Sequence, residues 1–133
     1  MEDKKSIRPV LNLSSNNENE SFQNETLRPI LKLQHDIIVR VFSRISIKQK
    51  VDIHNFSNDR FTDYIKKVVF KNIGLRNQLL GVVIGQFTNE EYISYEKNTS
   101  EFHKRIIQMI QKRLLDSIEE IKDINIAQKS NLK

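Results

Sequence analysis

The chain has 133 residues, of which 38% are hydrophobic, no cysteine, and a net charge of +5. A chain near 150 residues buries about two-thirds of its unfolded surface, so one domain with its own core is expected. The lack of cysteine excludes disulfides, thiolate metal sites and cysteine nucleophiles, and it fits a reducing compartment. The longest uncharged apolar run, residues 79–84, falls far short of the about 20 residues of a membrane-spanning helix. We therefore expect a cytoplasmic protein without a membrane partner.

The charge is distributed unevenly along the sequence. Residues 1–25 carry three basic and five acidic side chains, whereas residues 26–133 carry nineteen basic and twelve acidic ones. A basic domain behind an acidic segment permits nucleic acid or another polyanion as a partner, because Lys and Arg contacts to phosphate supply most non-specific affinity. A composition rich in Ile, Asn and Lys can also raise the pI of a protein that has no polyanionic partner, and this alternative stays open.

A short motif occurs twice near the start of the chain. Residues 6–13 and 26–33 both follow the pattern S/T-x-R-P-x-L-x-L, twenty positions apart. The second copy leads into apolar residues at helical spacing, so Thr26 is predicted to cap a helix with Pro29 in its first turn. The first copy leads into a polar stretch and predicts a short segment that is ordered only where it docks. Two ordinary helix starts with a chance similarity are the simpler alternative.

The rest of the chain has the apolar periodicity of helices. Residues 1–25 are predicted to be a disordered tail, residues 26–124 a helical domain, and residues 125–133 a frayed end. The fold class is therefore all-α, a small bundle of four to five helices behind a disordered N-terminal tail. The helices are predicted over about residues 27–47, 59–71, 75–87, from the Thr88–Glu91 capping box onward, and 100–124.

The third predicted helix is apolar almost all round, which favours a central position. Gly81 and Gly85 lie four residues apart on it and are predicted to allow a close helix crossing, since each glycine costs about 1 kcal/mol in a helix interior. A strand over the β-branched residues 82–84 is the alternative.

Basic residues form stripes on three of the predicted helices. The clearest is Arg40, Arg44 and Lys48, which are spaced four residues apart on the first helix. Other basic residues cluster on the second helix and on the last helix, where they include Lys104, Arg105, Lys112 and Arg113. The stripes predict either a basic patch for a nucleic acid or an ordinary solvated face.

Catalytic motifs are missing from the sequence. The three glycines, Gly74, Gly81 and Gly85, cannot form the common phosphate-binding loops or a nucleophile elbow. The three histidines, at positions 35, 54 and 103, fall on different elements and lack the spacing of a metal-binding helix pair. We therefore predict no catalytic residue, no metal site and no cofactor.

Three sequence stretches together resemble a known group of proteins. They are S-x-R-P at residues 6–9, F-Q-N-x-T-L-R-P-I-L-K at residues 22–32, and L-R-N-Q-L-L-G-x-x-I-G-Q-F-T-x-E-E-Y at residues 75–92. In this combination the chain resembles a family of short bacterial proteins that are often labelled glyoxalase. The resemblance implies a metal-dependent lyase acting on the hemithioacetal of methylglyoxal and a thiol, built from paired βαβββ modules. No ligand residue of such a site can be carried over to a position of this sequence.

Three functional hypotheses follow. The preferred one is a non-enzymatic helical module that binds protein, either a second copy or another partner. Its N-terminal segment would dock in a groove lined by the third predicted helix and its neighbours. The lyase implied by the resemblance is the first alternative, and a basic domain that binds nucleic acid is the second. The candidate interaction residues are Arg8, Pro9, Leu11, Leu13, Arg28 and Pro29.

Overall fold

The structure is a computed structural model that describes residues 4–9 and 18–131. These residues are almost entirely helical, and no strand occurs among them, which confirms the all-α class. The segment 4–9, called here the N-terminal segment, is a turn ahead of the helices. Seven helices follow, of which α2 to α7 are His35–Lys48, Asn58–Lys71, Ile73–Ile84, Asn89–Glu96, Thr99–Leu115 and Ile118–Asn131.

Helix α1 joins three stretches of helical backbone, namely α-helical Glu18–Phe22, π-helical Gln23–Leu27 and α-helical Arg28–Leu33. The prediction that a helix starts at Thr26 is therefore wrong. In the helix interior a proline ring crowds the carbonyl of the residue four positions earlier, and here the wider π turns directly precede Pro29. Thr26 and Pro29 therefore lie inside a longer helix, and the π turns before Pro29 make room for its ring.

The predicted number of helices, four to five, is too low because two predicted helices are each divided. The first is interrupted at Gln34, whose backbone leaves helical geometry between α1 and α2. The last is interrupted at Asp116 and Ser117, between α6 and α7. Both breaks are turns without proline or glycine, so the sequence carries no strong signal for them.

The described helices also extend beyond the predicted domain ends. Residues 18–25, predicted as part of a disordered tail, are helical, and Phe22 packs against Phe87 and Phe102 with ring centroids 5.6 and 4.6 Å apart. At the other end α7 continues to Asn131, past the predicted fraying point at Ile124, and Asn125 is completely buried in it. The N-terminal residues 1–3 and 10–17 lie outside the described part of the chain.

One hydrophobic core connects the helices. Helix α2 packs most extensively on α7, and α6 packs on both α3 and α4. The largest fully buried side chains include Phe42, Phe61, Leu79 and Ile106. Helix α4 contributes four buried residues and lies between α2, α3 and α6.

The predicted close crossing at Gly81 and Gly85 is wrong. Gly81 is exposed, and a Cβ placed on it would meet no atom within 4 Å outside its own helix. A Cβ on Gly85 would lie 2.9 Å from the carbonyl oxygen of Gly81, in its own chain. The spacing of four residues therefore reflects the end of α4, where Gly85 is the C-cap, and no atom of another described helix lies within 4 Å of a Cβ placed on either glycine.

Side-chain caps fix where three helices begin. Ser57 accepts a hydrogen bond from the Arg60 N–H, and the Thr88–Glu91 capping box is complete, as the sequence predicts. Asn72 caps α4 by accepting from the Leu75 N–H at 3.0 Å. Helix α3 ends at Lys71, as the predicted helix over residues 59–71 does, and α4 begins at Ile73.

Candidate functional site

The most distinctive polar cluster joins the N-terminal segment to the start of α5. Two terminal nitrogens of Arg8 donate to the two carboxylate oxygens of Glu91, each at 2.8 Å. Both side chains are almost completely buried, with 4% of Arg8 and 9% of Glu91 exposed. A bidentate Arg–carboxylate pair of this kind is stronger and more directional than a single ion pair.

Local structure places both partners of this pair. Glu91 is the third residue of α5, and its carboxylate also accepts from the Thr88 N–H at 2.8 Å. Arg8 donates to the Gln86 carbonyl, and Lys4 donates to the Phe87 carbonyl at 3.1 Å. The cations therefore lie at the carboxyl end of α4 and the carboxylate at the amino end of α5, where each is favoured by the helix dipole.

The surroundings hold Glu91 in its charged form. Burial alone would raise the pKa of this carboxyl group, but hydrogen bonds from Arg8, Thr88 and Thr26 and the charge of Arg8 outweigh it and lower the pKa to about 2. A carboxylate with this pKa, already bonded on both oxygens, is a poor general acid or base near neutral pH. The pair is suited to holding a segment in place.

The two copies of the repeated motif meet at Glu91. The first copy supplies Arg8, and the second supplies Thr26, whose hydroxyl donates to Glu91 Oε2 at 3.1 Å. Pro9 and Pro29 both line the adjoining cavity of about 620 Å³. Leu11 and Leu13 lie outside the described residues, and Arg28 points to a different cavity.

The predicted basic patch occupies another part of the surface. Arg40 and Arg44 line a cavity of about 390 Å³ together with Gln128 and Asn131 of α7. Lys48 is exposed at the end of α2 and is not part of that lining. The patch therefore offers two convergent cations.

A second basic surface brings together residues that the sequence places on separate helices. Arg28 and Lys32 of α1 line one cavity of about 590 Å³ with cations of α6. Asp116 is the acidic residue of this lining, which we call the α1/α6 groove. The α6 cations are Arg105, Lys112 and Arg113. The α6 cluster is recognisable in the sequence, whereas the contribution of α1 depends on a tertiary contact.

One cluster of possible metal ligands was not predicted from the sequence. Ligand atoms of His35, Asp36 and Glu120 lie within 4.8 Å of one another. His35 Nε2 lies 2.9 Å from a Glu120 oxygen, and Arg113 Nη1 lies 3.3 Å from His35 Nδ1. The guanidinium group beside the ring opposes a bound cation, and the contacts of His35 with Glu120 and Arg113 account for the cluster as a hydrogen-bond network. No spacing signal could reveal it, since His35 and Glu120 are 85 positions apart.

Comparison with known proteins adds no relative. No protein-family model matches the chain, and neither a curated protein nor a solved structure matches it. The resemblance to the glyoxalase-labelled family therefore depends on the sequence motifs alone. Within residues 4–9 and 18–131, no helix has both the length and the apolar character needed to cross a membrane.

Proposed function

We propose that this protein is a non-enzymatic helical module that binds an arginine-containing peptide segment of a partner protein at the Glu91 surface. The observation that carries the proposal is the burial of Arg8 against Glu91 by a segment of only six described residues. The docked N-terminal segment then occupies the site in the absence of a partner. A partner segment with an S/T-x-R-P sequence would take its place.

The contacts favour replacement of the segment over a permanent structural role. The side chains of Arg8 and Lys4 bond the segment to Glu91 and to the carbonyls at the end of α4. Ile7, the apolar residue beside Arg8, is 41% exposed, so it contributes little burial. Charged hydrogen bonds to Glu91 and to these carbonyls can be exchanged for the same bonds from another chain.

Peptide binding in trans tests the proposal. A chain that begins at Glu18 is titrated with a synthetic peptide of residues 4–13, and binding is followed by calorimetry. Binding that disappears with the R8A peptide and with Glu91→Gln, while Glu96→Gln is unaffected, supports the proposal. Failure of the truncated but folded chain to bind the peptide would falsify it. Sedimentation of the full chain shows whether a second copy is the partner.

The lyase implied by the resemblance makes a different set of predictions. It requires a stoichiometric divalent metal in the purified protein and turnover of methylglyoxal with a thiol. Elemental analysis together with an activity assay before and after chelation distinguishes this hypothesis from a binding module.

A further inference from the structure

The α1/α6 groove is a concave surface with a large excess of positive charge. Among the described residues, five cations and one carboxylate, Asp116, line it, whereas the described lining of the cavity beside Glu91 has equal numbers of basic and acidic residues. The volume of about 590 Å³ is large enough for more than a single ion. We propose that this groove binds the phosphate backbone of a nucleic acid.

The cations of the groove are available to a ligand. Lys32 and Lys112 are exposed, and Arg105 is half-buried. None of these three residues forms an ion pair within residues 4–9 and 18–131. Arg28 is also exposed, and its Nε donates to Asn24 Oδ1 at 3.0 Å, which orients the guanidinium group without neutralising it. Such cations can exchange their counterions for phosphates, and the release of those counterions favours binding.

The spacing of the cations fits a row of phosphates. Lys112 follows Arg105 by seven residues on α6, a rise of about 10 Å at 1.5 Å per residue. Arg28 and Lys32 lie four residues apart on the facing helix, a rise of about 6 Å. A nucleic-acid strand carries one phosphate per about 3.4 Å of duplex axis, so these rises correspond to about two and about three phosphate-to-phosphate steps. A single inorganic ion would leave most of these cations uncompensated.

The remaining lining residues favour contact with the backbone over contact with bases. Apart from the cations, the lining contains amide and hydroxyl groups, which can donate to phosphate oxygens, and the apolar residues Leu31 and Met109. The described residues of the lining include no aromatic ring, so they offer no stacking with bases. We therefore expect binding without sequence preference and with a strong dependence on salt.

Fluorescence anisotropy with a labelled 20-base-pair DNA tests the proposal. The full chain should bind with a Kd of about 10⁻⁶ to 10⁻⁴ M at physiological salt, the range of non-specific binders. The double variant Arg105→Gln/Lys112→Gln should weaken binding at least tenfold and reduce the slope of log K against log salt by about 2. The matched control Arg40→Gln/Arg44→Gln removes the same charge from the α2 patch and should change the affinity less than threefold.

Three outcomes would overturn the proposal. They are an undetectable affinity for DNA and for single-stranded RNA of the same length, equal losses in the two double variants, and equally tight binding of heparin. The second would indicate a diffuse effect of net charge, and the third a general polyanion surface. Circular dichroism melts of both double variants confirm that each remains folded.

Discussion

Arg8 and Glu91 are 83 positions apart in the sequence, yet their side chains form two hydrogen bonds of 2.8 Å in a buried ion pair. Arg8 therefore connects the N-terminal segment to the junction of α4 and α5. Lys4 of the same segment bonds to carbonyl groups, so it does not replace Arg8 as the partner of Glu91. The stability of this corner of the fold should depend on it.

The variant Arg8→Met tests this dependence. Removing one partner of a buried pair costs about 3–5 kcal/mol when the other stays buried. The short N-terminal segment can leave the surface and let water reach Glu91, so we expect a smaller loss of about 2 kcal/mol in the free energy of unfolding. Urea unfolding measures it, with Ile7→Ala as a control that should cost less than about 0.5 kcal/mol. Equal stabilities of the two variants would contradict the prediction.

The low pKa of Glu91 makes part of the stability depend on pH. The carboxyl group has a pKa of about 2 in the folded chain against 4.5 in the unfolded chain, so the folded state favours the ionised form. Its contribution is fully present above pH 4.5 and is lost as the pH falls toward 2. The full contribution is on the order of 3 kcal/mol.

Urea unfolding of the wild-type chain and of Glu91→Gln at several pH values measures this contribution. The difference in unfolding free energy should be largest at pH 5–7 and should shrink steadily below pH 4.5. Glu90→Gln is the matched control, since Glu90 is an exposed neighbour in the first turn of α5. A wild-type advantage over Glu91→Gln that stays constant from pH 7 to pH 3 would refute the pKa shift.

Local signals in the sequence predicted the parts of this site that depend on neighbouring residues. The Thr88–Glu91 capping box was recognisable because its two hydrogen bonds join residues three positions apart. The sequence also indicated a docking role for Arg8. Its partner could not be predicted, because Glu91 already had a complete local explanation as a capping residue. When a side chain has both a local and a distant partner, the sequence indicates only the local one.

The same limit explains the errors in the fold. Thr26 and Pro29 form a valid start signal, but packing of Phe22 on Phe87 extends the helix backward through a π stretch. Gly81 and Gly85 have the spacing of a helix crossing, but nothing in the sequence indicates which helix would lie opposite. Tertiary contacts determine the structure at both places, and helix propensity predicts such contacts only weakly.

Two alanine substitutions in α4 should have opposite effects. Gly81 is exposed and an added Cβ meets no atom, so Gly81→Ala should raise the free energy of unfolding by about 0.5–1 kcal/mol through helix propensity. A Cβ on Gly85 would lie 2.9 Å from the Gly81 carbonyl oxygen, so Gly85→Ala should lower it by about 1 kcal/mol. Thermal melts compare the two variants. Stabilisation by both would show that the backbone at Gly85 relaxes freely.

Two truncations should separate the N-terminal segment from α1. A chain beginning at Glu18 loses the Arg8 contacts and should lose about as much stability as Arg8→Met. A chain beginning at Thr26 also loses Phe22, whose ring contacts Phe87 and Phe102, and should lose about 2 kcal/mol more. The point variant Phe22→Ala in the full chain is the control for the second step. Equal melting temperatures of the two truncations would show that residues 18–25 add nothing to the fold.

A buried polar cluster joins α2 to α7. Asn125 is fully buried, and its Nδ2 donates to Ser43 Oγ and to Ser46 Oγ, each at 3.0 Å. Its Oδ1 has no hydrogen-bond partner within the described residues, which adds a cost that the other bonds must offset. The cluster therefore contributes less than its number of hydrogen bonds suggests.

Replacing the whole cluster should lower the free energy of unfolding less than removing Asn125 alone. Asn125→Ala should cost about 2 kcal/mol, because it leaves a cavity and deprives Ser43 and Ser46 of a donor. The triple variant Ser43→Ala/Ser46→Ala/Asn125→Leu should lie within about 1 kcal/mol of the wild type, since apolar groups of similar volume remove the need for hydrogen bonds. Ile126→Ala, at an exposed neighbour, is the control for α7. If urea unfolding finds the triple variant less stable than Asn125→Ala, the hydrogen bonds outweigh the unpaired oxygen and the cluster is a net source of stability.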